Sequence, residues 1–265
     1  MDRSDEKARS LADGKLRAAL VTGASKRIGR AIAEDLAASG FAVAVHANSS
    51  FPEASRFAAE LRREGKIACA VETDLRDAGA VATLMEKTVS AIGAIDLLVN
   101  NASIFEKDSA DRYDATAFDA HFAVHVRAPS ILAADFAAQL PAGKSGLIVN
   151  MVDQRVWALN PRFYSYTLSK AALWTATQTM AQTFAPRIRV NAIGPGPTVK
   201  GVRQTPEDFQ AQIDGLIMKA GPGLDEFGRT VRFLFDTPSI TGQMIALDGG
   251  QHLAWETPDV AESME

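Results

Sequence analysis

The chain has 265 residues, 47% of them apolar and 23% charged, with a formal net charge of −4. That length suits one large α/β domain or two small ones with a sizeable core, and the mildly acidic balance lacks the basic footprint of a nucleic-acid binder. Cys69 is the only cysteine, which excludes an internal disulfide and fits a reducing, cytoplasmic compartment, and no apolar stretch approaches the ~20 residues of a membrane-spanning helix.

Residues 1–15, "MDRSDEKARSLADGK", are charged and lack the hydrophobic region of a secretory signal. They read as a loose lead-in to one domain over residues 16–265. Seven short runs then follow, apolar and rich in β-branched residues: "RAALVT", "FAVAVH", "KIACAVE", "AIDLLVN", "GLIVNM", "RIRVNAI" and "QMIALD". Between them lie stretches with helical spacing. Ile28, Ile32 and Leu36 recur every four residues, and Val81, Leu84, Met85, Thr88 and Val89 form a second stripe. Strands alternating with helices predict a parallel sheet covered on both faces. No repeat or Pro/Gly-rich linker divides the chain, so the expectation is a single doubly wound α/β domain.

The first predicted strand runs into "TGASKRIGR". A strand, a glycine turn and a helix start make a phosphate cradle, because the free N–H groups of a helix N-terminus attract anions. Gly23 and Gly29 stand six apart, with Ser25, Lys26, Arg27 and Ile28 between them, which departs from the common G-x-G-x-x-G fingerprint. The second strand ends in "VAVHANSS". His46, Asn48, Ser49 and Ser50 replace the acid that holds the ribose 2′-hydroxyl of NAD in many dinucleotide-binding folds. With Lys26 and Arg27 nearby, the pocket is expected to take NADP rather than NAD.

"YSYTLSKAALWTATQTMAQTFA" predicts a long helix with Tyr166 and Lys170 one turn apart on one face. An ammonium beside a phenol favours phenolate, so Lys170 is expected to lower the tyrosine pKa from its usual ~10. Such a tyrosine can move a proton while a hydride is transferred. Upstream, "GLIVNMVDQ" reads as a buried strand ending at Asp153, where parallel sheets place their ligands.

The glycine turn, "NNAS" after the fourth strand, Tyr-x-x-x-Lys and "NAIGPGPT" together resemble the short-chain dehydrogenase/reductase family over about residues 16–253. The resemblance implies a seven-stranded Rossmann-type sheet, a nicotinamide cofactor and a homotetramer paired through the long helices after the fourth and fifth strands. It also implies that Asp74 and Leu75 meet the adenine and that Asn101, Ala102 and Ser103 line the cofactor. Tyr166 and Lys170 would hold the ribose, and Pro195, Gly196 and Thr198 the nicotinamide end. Residues 199–223 would form a substrate lid, with Phe209, Ile213 and Leu216 as the apolar face of a short helix.

Most members of the family carry serine where Asp153 stands. A carboxylate there suits a nitrogen heterocycle, which offers ring N–H and amino donors. Arg27, Ser103 and Phe105 strengthen a narrower resemblance, to pteridine reductases and dihydromonapterin reductases. In those enzymes the phenylalanine matching Phe105 stacks the pterin, the serine matching Ser103 orients it, and the aspartate and tyrosine matching Asp153 and Tyr166 deliver a proton. The implied activity is NADPH-dependent reduction of a dihydropterin. Two other readings stay open: a reductase of an ordinary carbonyl, such as a 3-oxoacyl thioester, and a non-catalytic nucleotide-binding protein.

In "FDAHFAVHVRAP", His125 stands where the family has an asparagine supporting a water chain to the lysine. Histidine titrates near neutrality, so the expectation is an altered relay. His121 and His125, four apart, lack the Glu of H-E-x-x-H and a third ligand, so no metal is expected. Phe118 and Phe122 are expected in the core, Trp174 in the core or against another subunit, and His252 at the surface or a subunit contact.

Overall fold

The computed structural model describes residues 17–201 and 203–255; the lead-in expected over residues 1–15 lies outside them. Seven strands form one parallel sheet: β1 Ala18–Val21, β2 Ala42–Ala47, β3 Ala68–Glu72, β4 Leu97–Asn100, β5 Gly146–Met151, β6 Ile188–Pro195 and β7 Met244–Leu247. Their order across the sheet is β3-β2-β1-β4-β5-β6-β7. Each falls within one of the seven runs read from the sequence, except that β2 and β6 continue one and two residues further. β1 pairs with both β2 and β4, with Val21 opposite Val45 on one side and Val99 on the other. The strand order therefore reverses at β1 and β4, and a ligand crevice opens beyond their carboxyl ends.

Alternation along the strands splits the core into two layers. Ala19 and Val21 face the layer of α1 (Arg27–Ala38), α2 (Phe51–Arg63) and α9 (Leu224–Asp236), where Ile32, Leu36, Phe57, Phe227 and Val231 are fully buried. Ala18 and Leu20 face the other layer with Val81, Leu84, Leu132 and Phe136. That layer holds α3 (Ala78–Val81), α4 (Leu84–Ile92), α5 (Ala115–Phe122), α6 (Ala128–Gln139) and α7 (Tyr164–Phe184). A single π-helical turn, Ala123–Arg127, joins α5 to α6.

Two expectations are corrected. The stripe from Val81 to Val89 is divided between two helices, because Asp77 caps α3 through Gly79 N and Ala80 N, and the Thr83 hydroxyl donates to Ala80 O at 2.9 Å. A threonine bonding back to the preceding turn competes with helix continuation. Phe118 and Phe122 are only half-buried and stack on each other, centroids 4.5 Å apart. The buried face of α5 belongs to Ala117 and His121 instead. Trp174 is partly buried against Val152, Leu173, Ala192 and Met244, and His252 bonds Asp248 at 2.6 Å.

In the expected lid, α8 (Pro206–Asp214) begins with a reciprocal cap between Thr205 and Asp208. Leu216 is buried just beyond its end, whereas Phe209 and Ile213 are half-covered. Among the described residues, no helix is long and apolar enough to cross a membrane.

Candidate active site

At the end of β1 the chain turns on Gly23, whose φ of +63° is a left-handed conformation that glycine adopts without strain. His46 holds this turn from β2: its Nδ1 accepts from Gly23 N at 3.1 Å, and its Nε2–H donates to Thr73 O at 3.0 Å. Burial pushes its imidazole down to about 4, against the raising effect of the Thr73 carbonyl, so the ring stays neutral and Nδ1 stays an acceptor. Gly29 makes the second close approach. A Cβ there would stand 2.4 Å from both Asn101 Nδ2 and Gly23 O, and Asn101 Nδ2 itself donates to Thr22 O and Gly23 O. The glycine spacing read from sequence thus seats the helix start against β4.

A cavity of about 800 Å³ opens over this turn. Its wall contains every sequence-predicted cofactor residue from Gly23 through Ser103: Gly23, Ser25, Lys26, Arg27 and Ile28 of the turn, His46, Asn48, Ser49 and Ser50 after β2, Asp74 and Leu75 after β3, and Asn101, Ala102 and Ser103 after β4. Lys26 precedes α1 without capping it by its side chain, leaving the first-turn N–H groups for a ligand. Three of these residues also make contacts within the fold. His46 lines the wall but has both ring nitrogens engaged within the fold. Arg27 donates to the lid carbonyls of Val199 (2.9 Å) and Lys200 (3.3 Å). Asp74 forms an ion pair with Arg76 at 2.7 Å.

Arg76 and Val124 also line the cavity and were not singled out from sequence. Arg76 stands two residues after Asp74, so a cation beside the acid was the available signal. Pro195, Gly196 and Thr198 lie outside this wall, at the junction of β6 and β7, where Gly196 N donates to Leu247 O.

Beyond the cavity the chemistry gathers on α7. The Tyr166 hydroxyl donates to Asp153 Oδ2 at 2.8 Å, and the Arg155 N–H donates to Asp153 Oδ1 at 2.9 Å. Asp153 therefore caps the short 3₁₀ turn Gln154–Val156 with one oxygen and meets the phenol with the other. Lys170 is buried and donates to Met151 O at 2.7 Å. Burial pushes its ammonium down to about 8, with Asp153 opposing.

The expected direction for Tyr166 is reversed. Burial, then the charge of Asp153 and the hydrogen bond to it, raise the phenol well above its ordinary value, while Arg155 and Ser103 act weakly in the opposite sense. The Lys170 nitrogen, 5.7 Å from the Tyr166 ring centroid, is spent on a carbonyl, so the nearer carboxylate prevails. The phenol holds its proton. Phe105 lies edge-on to Tyr166 (4.7 Å) and stacks on Phe163 (4.0 Å). The lid reaches this loop as well, through Arg203 on the Phe105 carbonyl and Glu106.

His125 is buried with both nitrogens occupied by Ser169, Ser103 and the Ile104 N–H. Burial, followed by Lys170 and His121, pushes its pKa well below the usual value. No direct hydrogen bond joins it to Lys170 among the described residues. Among the same residues, no group of three His, Cys, Asp or Glu could hold a metal ion.

The family model for short chain dehydrogenase matches residues 17–221. Two solved structures are strongly similar. One is FolM alternative dihydrofolate reductase 1 from Brucella canis complexed with NADP: TM-score 0.90, 55% identity, covering 92% of this chain and 97% of that one. The other is the Brucella suis protein of the same name in complex with NADP: TM-score 0.90, 56% identity, covering 92% and 98%. A 3-oxoacyl-[acyl-carrier-protein] reductase FabG of Staphylococcus aureus is 31% identical over 242 residues, 89% of this chain and 98% of that protein. With its fold, its Tyr-x-x-x-Lys helix and a family match spanning most of its length, the chain belongs to the short-chain dehydrogenase family.

Proposed function

We propose that this chain is an NADPH-dependent pterin reductase, converting a 7,8-dihydropterin to its tetrahydro form. The observation that carries the reading is the 2.8 Å hydrogen bond from Tyr166 to Asp153. It sets a carboxylate, where the family usually has serine, against the proton donor. A carboxylate repels a substrate carbonyl oxygen but accepts from the ring N–H and amino groups of a pterin. The Brucella structures, whose names pair dihydrofolate reductase with NADP, support both halves of the reading.

The cavity fits a dinucleotide. Its glycine turn admits backbone close to a diphosphate, the uncapped start of α1 offers N–H donors, and Lys26 and Arg27 supply cations without a β2 carboxylate to exclude a 2′-phosphate. When bound, NADPH supplies the hydride, delivered to C6 of the pterin N5=C6 bond. Tyr166 donates a proton to N5 and Asp153 holds the pterin while assisting that transfer. Lys170, anchored on Met151 O, fixes the ribose. Phe105 offers a ring for stacking, worth roughly 0.5–1.5 kcal/mol beyond buried area. Pro195, Gly196 and Thr198 would meet the nicotinamide end, and Asp74 and Leu75 the adenine. Residues 199–223 act as lid within a single domain over 16–265.

One assay of cofactor oxidation tests this, with a 7,8-dihydropterin, dihydrofolate and a simple ketone, each with NADPH and with NADH. Turnover of the dihydropterin with NADPH above all other pairs is expected. Ketone turnover alone, or a preference for NADH, contradicts the reading.

The proposal includes a homotetramer and a cytoplasmic setting. The half-covered pair Phe118–Phe122 on α5 is apolar surface that helix pairing would bury, and the free Cys69 suits a reducing compartment. Light scattering at micromolar concentration should give four times the chain mass; a monomer contradicts the assembly.

A further inference from the structure

His121 and His125 form a two-rung ladder between the loop after β4 and α7. On one rung the Ile104 N–H donates to His125 Nε2 (3.3 Å), and His125 Nδ1 meets Ser169 Oγ (2.8 Å). On the other, the Glu106 N–H donates to His121 Nε2 (3.2 Å), and His121 Nδ1 meets Ser165 Oγ (2.8 Å). The backbone donors settle the tautomers. An Nε2 that accepts from N–H carries no proton in a neutral imidazole, so each Nδ1–H donates to its serine. Ser169 agrees, because its own hydroxyl proton goes to Tyr166 O at 2.8 Å.

The spacing explains why two histidines serve. Four helical residues rise ~6.0 Å, and alternate residues of an extended chain are ~6.6 Å apart. A His pair at i, i+4 therefore matches N–H groups at 104 and 106, and the serine pair 165 and 169 repeats the same interval. The rings stack with centroids 5.6 Å apart. The loop has a third anchor where Asp108 accepts from Ser165 N at 3.0 Å, at the start of α7, whose N-cap residue Phe163 makes no side-chain cap of its own. Phe105 lies between the first two anchors, and Ser103, just before the first, contacts His125 at 3.0 Å.

We propose that His121 and His125 are positioning residues that latch the loop Ser103–Glu106 to α7, setting Ser103 and Phe105 against Tyr166 before substrate arrives. Position 125 thus serves substrate placement. The latch needs neutral rings: protonated imidazoles would turn Nε2 into a donor facing two other donors. The groups around the pair are Asp108 and Glu106, which favour protonation of His121, and Lys170, which disfavours protonation of both.

The placement of substrate rests on the pterin reading, whereas the latch itself does not, and two readouts separate them. In the protein without cofactor, amide exchange at 104 and 106 should accelerate about tenfold or more in His121→Gln/His125→Asn, the order expected for losing a buried hydrogen bond. Exchange in β4 and α7 should stay unchanged. The same variant should raise KM for a dihydropterin about tenfold with kcat within about threefold. Ser165→Ala/Ser169→Ala, a milder change, should move both readouts the same way and serves if the first variant fails to fold. Unaltered exchange at 104 and 106 overturns the latch. Faster exchange with an unaltered KM overturns its role in placing substrate, and so does a fall in kcat alone. If the parent turns over no pterin, the functional reading fails, while the exchange result still decides the latch.

Discussion

Tyr166→Phe should reduce turnover by about 10²–10⁴-fold, the usual worth of general acid catalysis, while NADPH still stabilises the protein against heat. The phenol donates to Asp153, and the ring keeps its edge contacts with Phe105, His121 and His125. The substitution thus removes a proton and little else. The pH profile carries a second expectation. A group acting as acid works below its pKa, and that of Tyr166 is raised well above the ordinary tyrosine value, so its titration does not limit the rate near neutrality. Lys170, pushed down to about 8, loses its charge first. kcat/KM of the parent should therefore decline above pH ~8. A Tyr166→Phe enzyme within about threefold of the parent would remove the tyrosine from the chemistry.

Much of the site was legible because its spacing is local. Tyr166 and Lys170 share a helix face by the four-residue rule. Gly23 and Gly29 bracket one turn, and Asp153 ends an apolar run whose strand character is plain. The unread part depends on contacts distant in sequence. Tyr166 was expected to titrate low because Lys170 is one turn away, but Met151 O takes the ammonium and Asp153, thirteen residues upstream, faces the hydroxyl. Arg27 was read as a phosphate ligand, and only the folded chain brings it to lid carbonyls 172 and 173 residues away. His125 was read through the residue it replaces. Its partners come from a loop 21 residues before it and a helix 44 after it, and no periodicity announces them. Phe118 and Phe122 were assigned to the core on hydrophobicity alone, which cannot tell which face of α5 meets α7.

Asp153 selects the substrate in this account, and Asp153→Ser restores the residue usual in the family. Serine cannot supply the carboxylate that accepts from pterin N–H groups; losing one hydrogen bond to a charged group, worth ~1.5–3 kcal/mol, lowers pterin turnover roughly 10–100-fold. The same change removes a negative charge beside the phenol, so Tyr166 should titrate lower than in the parent, and a hydroxyl in place of the carboxylate lets a carbonyl oxygen approach. The direct measurement is kcat/KM with NADPH for a 7,8-dihydropterin and for a simple ketone, in the parent and in Asp153→Ser. The expected result is a fall of about tenfold or more for the pterin together with a gain for the ketone. Pterin reduction by Asp153→Ser equal to that of the parent would contradict it.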